Sequence, residues 1–521
     1  MVAKLRNRGI GIHSRANRAF DSVGHFPAGL ETSRIVTIDY LHYHALARPE
    51  AIALIEGGRA VTYAEMARDL WKTARAIREF QLPPGSSVAI GCDDFYTHWL
   101  LILAFELHGI TTASFQSDEG PSVRSLLGSV DLVFAEPHYP TGGWQTRPLT
   151  EDWRRSVADR PDEGPVPGRP KRPDDILRIV RTSGTTGEPK RFHLLRSMLE
   201  ARNVGLGWID RFSPPGTAGL RTLPLSIGGI YTAAVLALRN GRPMVVELGA
   251  PVASLPGLIR QHGLRQIGLL PIQLAQLLDR LPSDWKKPEW LEIVSFGAAV
   301  PESLRRAALE RLATEITNVY GSNETNIVAV SRESERGSGA IVVPDVEVEI
   351  VDDEDRPVPD GVEGQIRARS PAVFRGYLDD PTLTRRMLRD GWFYPGDIGV
   401  LDGRRLQVIG RADDQVNVGG VKYALPRLEE LTQKTGGATV KDVGIVPVPG
   451  SSGLPELNVA LVTEGSEDRA VLDRIIAVLR PVIAGDLHLV RLPQIPRNLM
   501  GKIDRAQLKD AIVAARFPER G

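Results

Sequence analysis

The sequence predicts an α/β protein with two domains: a large layered N-terminal domain and a smaller α+β C-terminal domain. The chain has 521 residues, more than the ~250–300 at which a single hydrophobic core stops growing. Apolar runs alternate with helical patterns through roughly the first three-quarters, as in layered α/β folds. The sequence after residue 411 has a different pattern, so we expect an N-terminal tail (1–35), a large domain (36–411) and a small domain (412–521).

The elements of the large domain follow from local patterns. Val88–Ile90 is a short apolar run that predicts a buried strand, and Trp99–Leu107 predicts a buried helix. Ile176–Val180 and Leu291–Ser295 predict two further strands. Apolar and acidic residues alternate between positions 346 and 350, which predicts a strand with one wet face and a more antiparallel sheet.

The small domain shows shorter elements. Val443–Val448 and Leu457–Val462 predict strands, and the extended stretch Leu489–Pro496 follows later. Between them, a helix is expected with Leu472, Ile475, Ile476 and Leu479 on one face.

Composition limits the classes of function. Lys plus Arg and Asp plus Glu number 64 each, whereas a nucleic-acid-binding protein usually carries a basic excess. Nucleic acid is therefore not expected as a partner. The single cysteine, Cys92, suits a reducing compartment, and we expect a cytoplasmic protein. The most apolar run, Trp99–Phe105, is far shorter than the ~18 residues of a membrane span.

The most informative motif is the loop Thr182–Lys190, where two glycines and four hydroxyl residues follow a predicted strand. Glycine lets the backbone approach a ligand closely, and successive N–H groups and hydroxyls can surround an anion. The spacing is G-x-x-G-x-x-K, which differs from the Walker A loop. The loop predicts a phosphate site made by Thr182, Ser183, Gly184, Thr185, Thr186, Gly187 and Lys190.

This loop and four later segments, in the same order, resemble those of the adenylate-forming superfamily. The superfamily includes acyl- and aryl-CoA ligases, peptide-synthetase adenylation domains and luciferases. The four later segments are Asn318–Glu324, Phe393–Asp397, Gly410–Gln415 and Pro496–Lys502. The resemblance covers residues 38–510, is greatest to an acyl-CoA ligase, and implies a large AMP-binding domain with a mobile C-terminal lid.

The resemblance implies a role for each motif residue. Glu324 is expected to bind Mg²⁺, a hard cation that prefers oxygen ligands, and Tyr320 offers a flat face for adenine. Asp397 suits paired ribose hydroxyls, and Arg411 adds a ribose or phosphate contact. In the family the lysine at 502 reaches the α-phosphate and the substrate carboxylate, where it stabilises developing charge. The expected catalytic residues are Lys502, Glu324 and Thr185.

The turn Phe296–Ala299 resembles the family turn that lines both the adenine and the acyl pockets. The other nucleotide contacts implied are Gly297, Ala298, Asn318, Gly321 and Asn323. The acyl pocket is expected at Ile227, Gly228, Tyr231, Phe296, Gly297 and Gly321. This lining is apolar and mostly small, which indicates a hydrophobic acyl or aryl group.

Four positions depart from the family pattern: Arg181, Asn323, Phe393 and Pro395. Proline offers neither a hydroxyl nor a backbone N–H. Gly228 aligns with the aspartate that holds the ammonium group in amino-acid-activating members. Because a buried ammonium without a carboxylate is costly, a plain α-amino acid is disfavoured.

The acceptor is expected to be a thiol. Asp413 resembles the family hinge residue, and Gly419-Gly420 resembles the glycine pair of CoA ligases, which leaves a narrow passage for a pantetheine arm. We expect ATP, Mg²⁺ and coenzyme A (or a holo carrier protein), in an acid–thiol ligase. Two alternatives remain: a stand-alone adenylation enzyme that loads a carrier protein, and a nucleotide-binding module that has lost catalysis.

Overall fold

A computed structural model describes the fold of most of the chain. The described residues are 36–118, 123–169, 172–182, 189–210, 218–335, 337, 339–412, 415–418, 421–449, 455–463, 469–483, 487–497 and 501–516. The expected N-terminal tail, 1–35, lies outside them. No helix in these ranges is long and apolar enough to cross a membrane.

The strands and helices alternate along the first part of the chain. The strands are β1 (Ile52–Glu56), β2 (Arg59–Thr62), β3 (Ser87–Gly91), β4 (Thr111–Phe115), β5 (Leu132–Ala135), β6 (Thr146–Pro148), β7 (Ile176–Thr182), β8 (Lys190–Leu195), β9 (Gly219–Arg221), β10 (Met244–Val246), β11 (Gln266–Leu269), β12 (Glu292–Ser295), β13 (Glu315–Ser322), β14 (Asn326–Arg332), β15 (Ala340–Val342), β16 (Glu347–Val351), β17 (Gly364–Arg369), β18 (Leu388–Arg389), β19 (Trp392–Phe393), β20 (Asp397–Asp402), β21 (Arg405–Arg411), β22 (Gln415–Val418), β23 (Val421–Ala424), β24 (Val440–Pro449), β25 (Pro455–Thr463) and β26 (Leu487–Arg491). The α-helices are α1 (Val36–Ala47), α2 (Tyr63–Arg78), α3 (Phe95–Leu107), α4 (Arg124–Leu127), α5 (Glu151–Ala158), α6 (Arg196–Asp210), α7 (Gly228–Asn240), α8 (Leu255–His262), α9 (Pro271–Asp279), α10 (Glu302–Arg311), α11 (Pro381–Met387), α12 (Leu425–Gly436), α13 (Arg469–Leu479) and α14 (Arg505–Arg516).

A six-stranded sheet carries the strand that leads into the phosphate loop. Its order is β6-β5-β3-β4-β7-β8, and only β8 runs antiparallel to its neighbour. Helix α3 is apolar on all sides and almost wholly buried in the largest core, which is typical of a helix covered on every face.

A larger sheet has fifteen strands within the described residues, and its middle part is parallel. Strands β1, β10, β9, β11, β12 and β13 run parallel in that spatial order. From β13 onward the sheet continues through β14, β15 and β21 in antiparallel pairs. The predicted change from parallel to more antiparallel pairing is therefore confirmed.

The C-terminal part has its own sheet and core. Strands β24, β25 and β26 form a three-stranded sheet, and its apolar side chains pack on α12 and α13 in a separate cluster. Helix α13 buries Val471, Ile475 and Leu479. The predicted helix is confirmed, but its most buried residues include Val471, whereas Leu472 and Ile476 are only partly buried.

Most of the predicted elements are confirmed. The predicted strands at Val88–Ile90, Ile176–Val180 and Leu291–Ser295 lie within or overlap β3, β7 and β12. Of the extended stretch Leu489–Pro496, only the residues up to Arg491 form a strand, β26.

Candidate active site

The predicted site segments lie where parallel strands end. β7 ends at Thr182, β12 at Ser295 and β13 at Ser322, and ligands of open α/β sheets bind at such carboxyl ends. Lys190 pairs with Thr182, so neighbouring strands fix both ends of the phosphate loop. Five predicted phosphate-binding residues lie outside the described residues: Ser183, Gly184, Thr185, Thr186 and Gly187.

The carboxylate of Glu324 is held just beyond the end of β13. The residue is only 9% exposed, and its Oε1 accepts a hydrogen bond from the Tyr377 hydroxyl at 2.8 Å. Among the described residues, Oε2 accepts no hydrogen bond. The Nζ atom of Lys190 lies 5.5 Å from the centroid of the Tyr377 ring. The structure thus brings the expected metal ligand close to the expected phosphate lysine.

A buried arginine anchors the backbone beneath Glu324. Arg202 on α6 is 2% exposed, and its guanidinium donates to the carbonyls of Asn323 (2.8 Å), Glu324 (3.4 Å) and Ala372 (3.2 Å). Burial lowers the pKa of Arg202 to about 10, and the charge of Glu324 opposes this shift. The sequence did not predict roles for Arg202 or Tyr377, because neither lies in a recognisable motif.

Tyr320, Asp397 and Arg411 form one group, joined by a hydrogen bond and an ion pair. The Tyr320 hydroxyl donates to Asp397 Oδ2 at 2.6 Å, and Arg411 lies 3.5 Å from Oδ1. Burial, reinforced by the charge of Asp397, raises the pKa of Tyr320. The turn into β20 needs glycine at Gly396, because its φ is +79°. Three residues predicted to contact the nucleoside therefore lie together.

The turn after β12 is tied to β13. The Asn318 amide, oriented with its nitrogen toward the turn, donates to the carbonyls of Ser295 and Ala298 at 3.2 Å each. Gly297 within the turn has a φ of +88°, a conformation that glycine adopts readily. Asn318, Gly297 and Ala298 are thus adjacent, as a shared adenine site requires.

Gly321 lies where β13 and β14 approach closely. A Cβ atom at this position would be 1.9 Å from the carbonyl oxygen of Asn326. Only glycine fits here, which allows the two strands to approach closely beside Tyr320.

Two of the departures from the family pattern, Arg181 and Asn323, lie near Gly228 at the start of α7. A Cβ on Gly228 would lie 3.0 Å from Val180 Cγ1 and 3.1 Å from Asn323 Oδ1. Asn323 in turn donates from Nδ2 to the carbonyl of Arg181 at 3.2 Å. An aspartate at 228 would therefore have to displace Val180 or Asn323, in agreement with the expectation that no ammonium group is held here.

The other predicted pocket residues separate into two groups. Ile227 and Phe296 are partly exposed at this edge, and the Phe296 ring lies 3.3 Å from the Cβ position of Gly268 on β11. The predicted pocket residue Tyr231 has a fully buried side chain, and its ring centroid lies 4.4 Å from the Arg178 guanidinium. Its place in the acyl pocket stays a prediction.

Lys502 follows Gly501, which lies close to helix α9 of the large domain. A Cβ on Gly501 would lie 3.1 Å from Ile272 in the first turn of α9, next to the end of β11. The Lys502 side chain is exposed. The predicted hinge residue Asp413 and the predicted glycine pair Gly419-Gly420 lie outside the described residues.

The residues present fit ATP and Mg²⁺. Tyr320 and Asp397 offer an aromatic ring and a carboxylate in contact with each other. Glu324 has one oxygen fixed by a hydroxyl, an arrangement typical of a carboxylate that binds a metal through its other oxygen. Lys190 provides a positive charge at the end of the phosphate loop.

Comparison with known proteins agrees with this geometry. The profile of the family described as "AMP-binding enzyme" matches residues 41–378. A 3-hydroxybenzoate–CoA ligase of Aromatoleum sp. (strain CIB) is 26% identical, over 89% of this chain and 94% of the relative. A fatty acid–[acyl-carrier-protein] ligase, MmaC of Mycobacterium marinum, is also 26% identical, over 90% of this chain and 96% of the relative.

Solved structures share the fold. ATP-bound MatB from Rhodopseudomonas palustris superposes on this chain with a TM-score of 0.80 and 21% sequence identity. The superposition covers 91% of this chain and 98% of the MatB chain. o-Succinylbenzoate CoA synthetase (MenE) from Bacillus subtilis, in complex with its acyl-adenylate, gives a TM-score of 0.78 with 20% identity and the same coverage. The expected two-domain α/β fold class is confirmed, and the chain belongs to the AMP-binding enzyme family.

Proposed function

We propose that this chain is an AMP-forming acid–thiol ligase, which adenylates a carboxylic acid and transfers the acyl group to a thiol. The first candidate for the thiol is coenzyme A. The observation that carries the proposal is the convergence of separate motifs: Glu324 and Lys190 on Tyr377, and Tyr320 and Arg411 on Asp397. One group suits a metal-bound polyphosphate, and the other suits a nucleoside.

In the first half-reaction, the carboxylate of the acid attacks the α-phosphorus of ATP. The new oxygen–phosphorus bond forms as the bond to pyrophosphate breaks, which leaves an acyl-AMP. Tyr320 and Asp397 hold the nucleoside, and Lys190 holds the phosphates. Glu324 would bind Mg²⁺, which neutralises phosphate charge when it is present. Lys502 balances the charge that develops between the acid and the α-phosphate.

In the second half-reaction, a thiolate attacks the acyl carbon and AMP leaves with the bonding electrons. We propose that the C-terminal domain (412–521) acts as a lid that turns about Asp413 between the two steps. Such motions exclude water and complete a catalytic site. The Gly419-Gly420 pair would then border the pantetheine arm.

The acid is proposed to carry a hydrophobic acyl or aryl group rather than an α-ammonium. Gly228 carries no carboxylate, and a Cβ there would already be close to Val180 and Asn323. Ile227 and Phe296 are apolar. The single cysteine, Cys92, is buried and unpaired, which suits a reducing compartment such as the cytoplasm.

A second acceptor is favoured by a specific observation. Alongside CoA ligases such as the indoleacetate–CoA ligase of Aromatoleum aromaticum, fatty acid–[acyl-carrier-protein] ligases show the same 26% identity. Coenzyme A and a holo carrier protein present the same pantetheine arm, so the second candidate is a ligase that loads a carrier protein.

The test is ATP–pyrophosphate exchange with a panel of aliphatic, aryl and amino acids, followed by thioester formation with coenzyme A or with holo carrier protein. We expect exchange with hydrophobic acids, none with plain α-amino acids, and thioester with coenzyme A. Thioester only on the carrier protein would select the second candidate. ATP binding without exchange for any acid would refute the ligase.

A further inference from the structure

Tyr377, which lies outside the predicted motifs, contacts two charged groups of the proposed site by two different chemistries. Its hydroxyl donates to Glu324 Oε1 at 2.8 Å. The face of its ring is 5.5 Å from Lys190 Nζ, within the distance at which an ammonium is attracted to an aromatic face. One side chain thus contacts a carboxylate through its hydroxyl and an ammonium group through the face of its ring.

The Tyr377 ring is itself fixed. It is 8% exposed, and its centroid lies 4.7 Å from that of Phe374. Its backbone N–H donates to Thr384 Oγ1 at 2.9 Å. The preceding residue, Gly376, has a φ of +134° and lies so close to Thr384 that a Cβ would be 2.8 Å from Cγ2. The tight turn therefore sets where the ring points.

The segment that carries Tyr377 is hydrogen-bonded to the backbone of Glu324 and to that of Arg191, the residue after Lys190. The Phe374 N–H donates to the Glu324 carbonyl at 2.8 Å, and the Leu378 N–H donates to the Arg191 carbonyl at 2.8 Å. The Arg191 guanidinium also binds Asp379 through two hydrogen bonds of 2.6 and 2.7 Å. The segment 374–379 thereby joins the end of the phosphate loop to the expected metal ligand.

We propose that Tyr377 is a positioning residue for the adenylation step, which orients Glu324 through its hydroxyl and Lys190 through its ring face. This inference rests on the proposed function. Because Tyr377 holds Oε1, Glu324 would have a fixed orientation when it binds Mg²⁺, as hydrogen-bonded carboxylate ligands commonly do. A tyrosine hydroxyl has an ordinary pKa of ~10, so it keeps its proton at neutral pH and can donate to Glu324.

Two substitutions separate the two contacts. Tyr377→Phe removes the hydroxyl and keeps the ring, so we expect the Mg²⁺ concentration for half-maximal pyrophosphate exchange to rise about tenfold. The KM for ATP at saturating Mg²⁺ should stay within about twofold, because the contact with Lys190 is retained. Tyr377→Leu removes both contacts and should also raise that KM by about two- to fivefold.

The matched control is Tyr96→Phe. Tyr96 is also 8% exposed, and its hydroxyl also donates to a carboxylate, that of Asp69, at 2.8 Å. Tyr96 lies on α3, away from the site residues, so its substitution should leave the Mg²⁺ requirement unchanged. A rise of similar size in Tyr96→Phe would show that lost stability, rather than positioning, causes the effect.

Glu324→Gln distinguishes the inference from the function on which it rests. A raised Mg²⁺ requirement in Glu324→Gln, with an unchanged requirement in Tyr377→Phe, would overturn the positioning role and leave the ligase proposal intact. An unchanged requirement in both variants would overturn the inference together with the assignment of Glu324 as the metal ligand.

Discussion

Asp397 faces two hydrogen-bond donors, the Tyr320 hydroxyl and the Arg411 guanidinium. In Asp397→Asn, an amide group replaces one of the carboxylate oxygens and the negative charge is lost. A hydrogen bond to a charged group contributes about 1.5–3 kcal/mol, so we expect the KM for ATP to rise at least about tenfold. The comparison is Asp402→Asn, an exposed position at the other end of β20. Equal KM values in the two variants would show that Asp397 does not bind the nucleoside.

Gly228 and Gly229 are neighbours with different surroundings. A Cβ on Gly228 meets Val180 and Asn323 at 3.0 and 3.1 Å, whereas a Cβ on Gly229 has no atom within 4 Å. We expect Gly228→Ala to lower kcat/KM for the acid by about tenfold, because Asn323 must shift. Gly229→Ala should change it less than twofold. The measurement is steady-state kinetics at a saturating and at a limiting concentration of the acid. Equal kcat/KM values for Gly228→Ala and the wild type would contradict this expectation.

The residue-level site was predictable only where a motif marks it. Tyr320, Asp397 and Arg411 were expected to share a ligand from their resemblance to family motifs, and the structure places them in one group. Tyr377 was not predictable, because its contact with Glu324 joins positions 53 residues apart and no local pattern records such a contact. For Arg202 the separation from Glu324 is 122 residues.

At the level of elements, hydrophobic pattern predicted the buried strands β3, β7 and β12 and the helix α3 well. The length of a continuous apolar run helps to distinguish a buried strand from a buried helix. The position of α7 relative to the site was not predictable from its sequence. Gly228 and Tyr231 are both buried on this helix, and the helical pattern alone does not indicate which buried residues border a ligand.

The contact between α3 and β4 predicts a dependence of stability on pH. His98 is 2% exposed and bonds Ser114 Oγ at 2.8 Å. Burial, with a smaller effect from the charge of Arg178, lowers the pKa of His98 to about 3. In the unfolded chain the pKa of a histidine is ~6.5, so at acidic pH His98 binds a proton there that it does not bind in the folded chain. The contribution of His98 to stability is therefore fully present above about pH 6.5 and is lost as the pH falls, by about 1.4 kcal/mol per pH unit.

His98→Gln should remove this part of the pH dependence. We expect the free energy of unfolding, measured by urea denaturation, to fall less between pH 7 and pH 5 in the variant than in the wild type. His108→Gln provides the comparison, because His108 is only partly buried and bonds a backbone carbonyl. Parallel curves for His98→Gln and the wild type would show that His98 titrates normally in the folded protein.

At the scale of the whole molecule, the proposed site draws on strand ends of both large sheets and on the C-terminal part. Strands β7, β12 and β13 all end at the proposed site, and Gly501 lies beside the first turn of α9, next to β11. The large parallel regions and the separate C-terminal core were predictable, because length and strand–helix alternation require them. The pairing of β15 with the distant strand β21 was not, since strand order depends on long-range contacts.

The central claim is that this chain adenylates a carboxylic acid, and acid-dependent ATP–pyrophosphate exchange in Lys502→Ala tests it most directly. Removing a positive charge aimed at developing negative charge lowers rates by about 10²–10³-fold. We predict a loss of that size in Lys502→Ala, and an unchanged rate in Lys509→Ala, an exposed lysine on α14. Exchange that proceeds equally in Lys502→Ala and the wild type would contradict the role given to Lys502. Wild-type protein that binds ATP but exchanges no pyrophosphate with any acid would contradict the claim itself.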